Sequence, residues 1–256
     1  MVLDLKLTGL VLRNVPVSDN KSIITLLTKE RGKTVMTCHG ARKLTSRNMA
    51  PTRLFALSEY IVSEKNGRLT LKESALLESF FDLSLSLEAS ALGGYILEAG
   101  GFCARENEDE STLLSLMLNC LYALCKTDLP KEQIKAVFEL RLLSEIGCAP
   151  SVSFCTCCGG ELPYPAFYSA AEGGGVCPDC KKSAEAQGPF FKLDEGTGKA
   201  IDYVLSCSDK QIFSFKLSKK GLFTLGRLSE ESLLYSLERS FDSLKFYKET
   251  KNENDE

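Results

Sequence analysis

Tryptophan is absent from this 256-residue chain, and histidine occurs once, as His39. With one histidine in a basic segment and no acid near it in sequence, metal sites and catalytic dyads built on imidazole pairs are excluded. Apolar runs approaching the roughly 20 residues of a membrane span are also missing. The start, Met1-Val2-Leu3-Asp4-Leu5-Lys6, lacks the basic segment and apolar core of a signal peptide. Nucleophile-elbow, paired-histidine and dinucleotide fingerprints do not occur, and the Gly173-Gly174-Gly175 triplet lacks the lysine and hydroxyl residue of a phosphate loop. That triplet is expected to be a flexible turn, and the chain is expected not to be an enzyme. Aromatic residues are scarce at the front: before Phe80 only Phe55 and Tyr60 occur. A nucleic-acid contact there would lean on phosphates and hardly on base stacking.

Cysteine, by contrast, is abundant. Eleven are present, an odd number outside any secretory context, which points to a reducing compartment and away from a disulfide scaffold. Cys155-Thr156-Cys157-Cys158 and Cys177-Pro178-Asp179-Cys180 form two Cys-x-x-Cys pairs eighteen residues apart. Each pair can place two thiolates at one edge of a tetrahedron, so Cys155, Cys158, Cys177 and Cys180 are the expected ligands of one structural zinc ion. Four thiolates leave no open coordination position. Cys157 could replace Cys158, and buried apolar or redox cysteines are the less favoured alternative. The other cysteines lie mostly among apolar residues and read as small core hydrophobes.

Acids are unevenly spread. From Arg31 to Ser58 there is no Asp or Glu, while Arg31, Lys33, Arg42, Lys43, Arg47 and Arg53 are all present. Such a block attracts phosphate even on a chain of net charge −3, although a solvated loop would have the same composition. Acids gather instead in Glu106-Asn107-Glu108-Asp109-Glu110 and in the tail from Glu249 to Glu256.

Periodicity divides the chain. From 1 to 79 it alternates with period two in several short segments, with Asn66-Gly67 as a hairpin turn, which suits a small closed barrel such as an OB-fold. From Phe80 the period becomes helical: a stripe from Leu87 to Ala99 ended by Gly100-Gly101, another from Leu113 to Cys125, and a third from Ile134 to Ile146 stopped by Gly147 and Pro150. Further helices are expected over 197–205 and 229–246. The fold class is therefore α+β: an N-terminal OB-fold β-barrel followed by an α-helical domain interrupted by a four-cysteine zinc ribbon. The expected boundaries are 1–79 for the barrel, 80–152 and 185–247 for the helical domain, 153–184 for the ribbon, and 248–256 for a disordered acidic tail.

In order and spacing these features resemble the RecO family of bacterial recombination mediators. The resemblance rests on Leu27-Thr28-Lys29-Glu30-Arg31-Gly32-Lys33, on His39-Gly40-Ala41-Arg42-Lys43-Leu44-Thr45-Ser46-Arg47, and on Phe138-Glu139-Leu140-Arg141-Leu142-Leu143-Ser144-Glu145-Ile146-Gly147. Pro150, the four cysteines, Phe167, Gly174-Gly175 and the closing Asp242-Ser243-Leu244-Lys245-Phe246 complete it. One departure lies in Val15-Pro16-Val17-Ser18-Asp19-Asn20-Lys21, where only Ser18-Asp19 of the family's loop persists. The resemblance implies a non-enzymatic DNA-repair protein without a small-molecule substrate, cytoplasmic and nucleoid-associated. It would bind single- and double-stranded DNA, anneal complementary strands, and act with RecR to load RecA on strands coated by single-strand DNA-binding protein. Arg13, Lys21, Lys33, Arg42, Lys43 and Arg47 would contact phosphates. The acidic C-terminal tail of single-strand DNA-binding protein would meet the helix from Lys131 to Ile146, through Lys131, Lys135 and Arg141 beside Val137, Phe138 and Leu142. Those apolar residues could equally be core, and the cations solvated surface. A zinc-ribbon and OB-fold factor of transcription or translation is the alternative, and an enzyme with structural zinc ranks third.

Overall fold

A computed structural model describes residues 3–40, 46–183 and 189–252. It holds two compact units, Met1–Cys125 with Lys245–Glu256, and Lys126–Leu244.

In the first unit, β1 (Leu3–Ser18), β2 (Lys21–Thr28), β3 (Gly32–His39), β4 (Ala56–Lys65) and β5 (Arg68–Ser79) close into a barrel of order β1-β2-β3-β5-β4. The period-two pattern turns Leu7, Val11, Ile24, Leu26, Met36, Tyr60 and Val62 into one interior. Antiparallel neighbours do most of the pairing, and closure is made by a short parallel contact, Met36 opposite Leu69 and Thr37 opposite Thr70. Register shifts in β1 at Val11/Arg13 and Pro16/Ser18 let one long strand bend around the barrel. Asn66 and Gly67 have φ of 51° and 71°, the conformation that a two-residue hairpin with the strands' own twist requires. The Tyr60 hydroxyl donates to the Pro51 carbonyl at 2.7 Å, which ties the β3–β4 connection to the core.

After a 3-10 turn at Phe81–Leu85, α1 (Leu87–Cys103) runs on through Gly100-Gly101 instead of ending there. Gly100 is a contact residue: a Cβ on it would collide with the Met117 side chain of α2 (Ser111–Lys126). Glycine here permits close helix approach, so the breaker reading fails.

The second unit is built on α3 (Lys131–Glu145), whose Ile134, Val137, Phe138, Leu140, Leu142 and Leu143 are all buried. Around it come β6 (Ala166–Ser169), β7 (Gly174–Val176), α4 (Pro178–Lys182), β8 (Phe191–Leu193), α5 (Glu195–Ser206) and α6 (Lys219–Leu237). The three strands form a sheet of order β7-β6-β8. Gly174 and Gly175 are therefore strand residues. The Gly175 N–H donates to the Ser151 carbonyl at 2.7 Å, and a Cβ on Gly174 would collide with Ser151 backbone. Close packing explains Gly174 and Gly175, while Gly173, with φ of 71° and nothing near an added Cβ, makes the turn before β7.

The stretch expected as one helix over 229–246 is two. α6 begins earlier, where the Ser218 hydroxyl accepts from the Gly221 N–H at 3.1 Å, and ends at Glu238, whose φ is 49°. A serine hydroxyl at that position satisfies a backbone donor that the first turn leaves free. α7 (Asp242–Asn252) follows, so the tail is helical as far as it is described. Tyr247 and Thr250 are buried in it, which outweighs the local charge. Among the described residues no helix is long and apolar enough to cross a membrane.

Candidate functional site

The sulfurs of Cys155, Cys158, Cys177 and Cys180 all lie within 4.8 Å of one another. Local structure explains the convergence. Cys155 and Cys158 flank a tight turn in which the Gly159 N–H donates to the Cys155 carbonyl at 2.8 Å. Cys177 caps α4, with Pro178 as its first residue, and its sulfur accepts from the Cys180 N–H at 3.4 Å. The Cys177 N–H in turn donates to the Cys155 sulfur at 3.3 Å, so backbone dipoles from one pair face the sulfur of the other. Burial works against the Cys155 thiolate, but the N–H groups of Cys177, Cys158 and Cys157 outweigh it and bring the thiol down to about 6. Cys180 moves the other way, pushed up by hydrogen bonding with the sulfurs of Cys177 and Cys158. Four sulfurs this close, with donors aimed at them, fit a tetrahedral cation held entirely by protein. The alternative ligand is set aside: the Cys157 thiol is directed to Glu172 at 3.6 Å and stands outside the cluster.

On the barrel, Arg13 and Lys21 come from β1 and β2. Arg13 pairs with Thr25 across the strands, and Lys21 pairs with His39 at the start of β2. Ser22, Ile24 and Leu26 point inward, so Lys21 shares the outer side with Ile23. Arg13 and the loop residue Arg47 are exposed. Arg42 and Lys43 lie outside the described residues. Lys33 is half-buried, its ammonium donating to the Gly101 carbonyl at 3.0 Å. The remaining cations of the acid-free block are likewise engaged: Arg31 pairs with Glu64 at 3.1 Å, and Arg53 stacks 5.3 Å from the Phe81 ring centre.

The helix α3 does not present the cationic wall expected of it. Lys135 is buried, held at 2.8 Å from both Glu139 and Glu230, so it is an internal partner and not a rim cation. Arg141 is mostly buried as well and donates to the Cys207 carbonyl, with Asp209 at 3.7 Å. Only Lys131 is half-exposed. Val137, Phe138 and Leu142 are core. A cavity of about 620 Å³ lies instead at the start of this helix, lined by Leu129, Pro130, Phe213, Phe215, Leu217 and Leu222, with Lys216 beside it. Its sequence signal is the alternation Phe213-Ser214-Phe215-Lys216-Leu217 within an unbroken acid-free run, Lys210 to Ser229.

A closed barrel of the OB type, continued by a helical unit that carries a four-cysteine ribbon, defines an α+β protein of the OB-barrel-and-ribbon class. Residues 1–80 match the family described as Recombination protein O N terminal, and residues 84–245 that described as Recombination protein O C terminal. The chain is 33% identical over 244 residues to the DNA repair protein RecO of Acetivibrio thermocellus, covering 95% of this chain and 96% of that one. To the DNA repair protein RecO of Pelotomaculum thermopropionicum it is 27% identical over 94% of this chain and 92% of the relative. This chain belongs to the RecO family of DNA repair proteins.

Proposed function

We propose that the protein is a non-enzymatic recombination mediator. It binds single- and double-stranded DNA, anneals complementary strands and, with RecR, helps RecA load on strands coated by single-strand DNA-binding protein. The observation that carries this reading is the outer side of β1 and β2, where Arg13 and Lys21 meet no carboxylate among the described residues. In OB-folds the face of strands 2 and 3 with the β1–β2 and β4–β5 loops takes nucleic acid, and Lys21 opens β2 directly after the β1–β2 turn. Tyr60 is buried in the barrel interior and Phe55 beside Gly93 of α1, so the contact runs mainly through phosphates.

The metal is zinc, because an all-thiolate tetrahedral set selects that ion, and its closed coordination makes it structural. The acidic tail of single-strand DNA-binding protein enters the cavity beside Lys216, where an apolar side chain can be buried while a cation meets the carboxylates. The protein acts in the cytoplasm.

The test is annealing of complementary oligonucleotides by the purified protein, with and without RecR. Acceleration over spontaneous pairing is expected. No acceleration in either condition refutes the reading.

A further inference from the structure

Among the described residues of the barrel the exposed ring is the His39 imidazole, while Phe55 and Tyr60 are buried, so stacking of bases on phenyl rings must come from elsewhere. The acid-free run Lys210–Ser229 supplies both parts. Lys210, Lys216, Lys219, Lys220 and Arg227 are all exposed, and none forms an ion pair with a described residue. This sets them apart from Arg31, Lys135 and Arg141, each of which has a carboxylate beside it. On α6, Lys219, Phe223 and Arg227 follow at intervals of four residues, which places them on one face about 6 Å apart along the axis. Phe223 is 64% exposed. The Arg227 guanidinium lies 5.9 Å from its ring centre and 4.9 Å from that of Phe191 on β8, so one planar cation is flanked by two rings.

We infer that this face of α6, with Phe191, is a second nucleic-acid contact that takes unpaired bases of single-stranded DNA on Phe223 and Arg227. The inference rests on the DNA-binding reading above. Lys219 and Lys220, at the start of the same helix, match the charge of the strand's phosphates, and a phenyl ring and guanidinium plane stack any base without reading its sequence. Bases paired within a duplex are not available to Phe223, so the surface discriminates for single strands. An acidic peptide fits less well. It needs a concave apolar site for its side chain, whereas Phe223 projects from the outside of a helix.

The test uses the full-length protein, fluorescence anisotropy with a labelled single strand and with its duplex, and a salt titration of each. Phe223→Leu keeps helix and apolar character but removes the ring. It is expected to weaken single-strand binding about fivefold or more, with unchanged salt slope and nearly unchanged duplex binding. Phe223→Tyr should restore it. Lys219→Gln, which removes a cation and no stacking plane, should lower the single-strand salt slope by about 0.7. Parental single-strand affinity in Phe223→Leu overturns the inference, as does equal loss on both DNA forms. Loss of binding to an acidic peptide ending in phenylalanine, with DNA binding intact, also overturns it by assigning the surface to a protein. If Arg13→Ala/Lys21→Ala loses DNA while the α6 variants do not, the inference falls and the DNA-binding reading stands. Absence of DNA binding by the parent removes that reading itself.

Discussion

Lys135→Met is the most demanding test of how the second unit is held together. Lys135 places its ammonium 2.8 Å from Glu139 and 2.8 Å from Glu230, with side-chain exposures of 6%, 0% and 13%. Glu139 also accepts from the Ser229 hydroxyl at 2.6 Å. Burial pushes the Glu139 carboxyl above its ordinary range, and Lys135 and Ser229 pull it back only in part. Burial opposes charge on Lys135 too, yet the facing carboxylates hold the ammonium above its ordinary range. Methionine fills similar space, so the variant removes the charge and leaves little cavity. Two buried carboxylates then lose their shared cation, a loss of about 3–5 kcal/mol. At about 4 °C per kcal/mol this lowers Tm by roughly 12–20 °C. The sign with pH follows from Glu139, whose folded pKa is raised. Its contribution is full below the ordinary carboxylate range and is lost as pH rises through the folded value. The deficit of Lys135→Met should therefore be largest at neutral to alkaline pH and shrink on acidification. Adding Glu139→Gln should recover part of it, a coupling that a double-mutant cycle measures. Calorimetric melting of the single variant within about 2 °C of the parent at neutral pH, about 0.5 kcal/mol, would refute the reasoning.

Cys177→Ser should lose bound zinc by elemental analysis and melt earlier, because metal binding and ribbon folding are coupled, whereas Cys157→Ser should keep the metal. Gly174→Ala should destabilise by about 1–3 kcal/mol in chemical denaturation, since its methyl meets Ser151 backbone. Gly226→Ala, in the interior of α6 with nothing within 4 Å of the added methyl, should stabilise by about 0.5–1 kcal/mol. Arg13→Ala/Lys21→Ala should weaken DNA binding for all sequences alike and lower the salt slope by about 2, one per phosphate contact.

Regular elements were legible wherever a pattern had one physical cause. Alternation and Asn66-Gly67 defined the barrel because each inward residue is core and only a positive-φ pair makes that turn. Glycine misled, because the same residue serves as a breaker and as a point of close approach. Gly100 beside Met117 and Gly174 against Ser151 are of the second kind, and neither neighbour is near in sequence. The end of α6 was invisible for the opposite reason: Glu238 adopts the left-handed conformation without glycine or proline to signal it. The charged tail concealed α7 because Tyr247 and Thr250 are few against many acids, yet burial of those few decides the conformation.

The sites divide along the same line. The cysteine cluster was legible because a tetrahedral site would draw each pair from four consecutive residues, and the fold brings the sulfurs of both pairs within 4.8 Å of one another. Cations were not, because a lysine or arginine carries the same charge whether it serves the fold or a ligand. The difference lies in partners distant in sequence: Glu64 for Arg31, Glu230 for Lys135, Asp209 for Arg141. A cation so paired must shed its carboxylate before it can take a phosphate, and when it is buried the carboxylate is left desolvated. Arg13 and Lys21 on the barrel and the cations of α6 carry no such cost. An acid-free run is therefore only a first filter. Charge becomes available to a polyanion where the fold also withholds acids from space, and among the described residues the outer side of β1 and β2, poor in exposed rings, and the face of α6, which carries them, meet that condition.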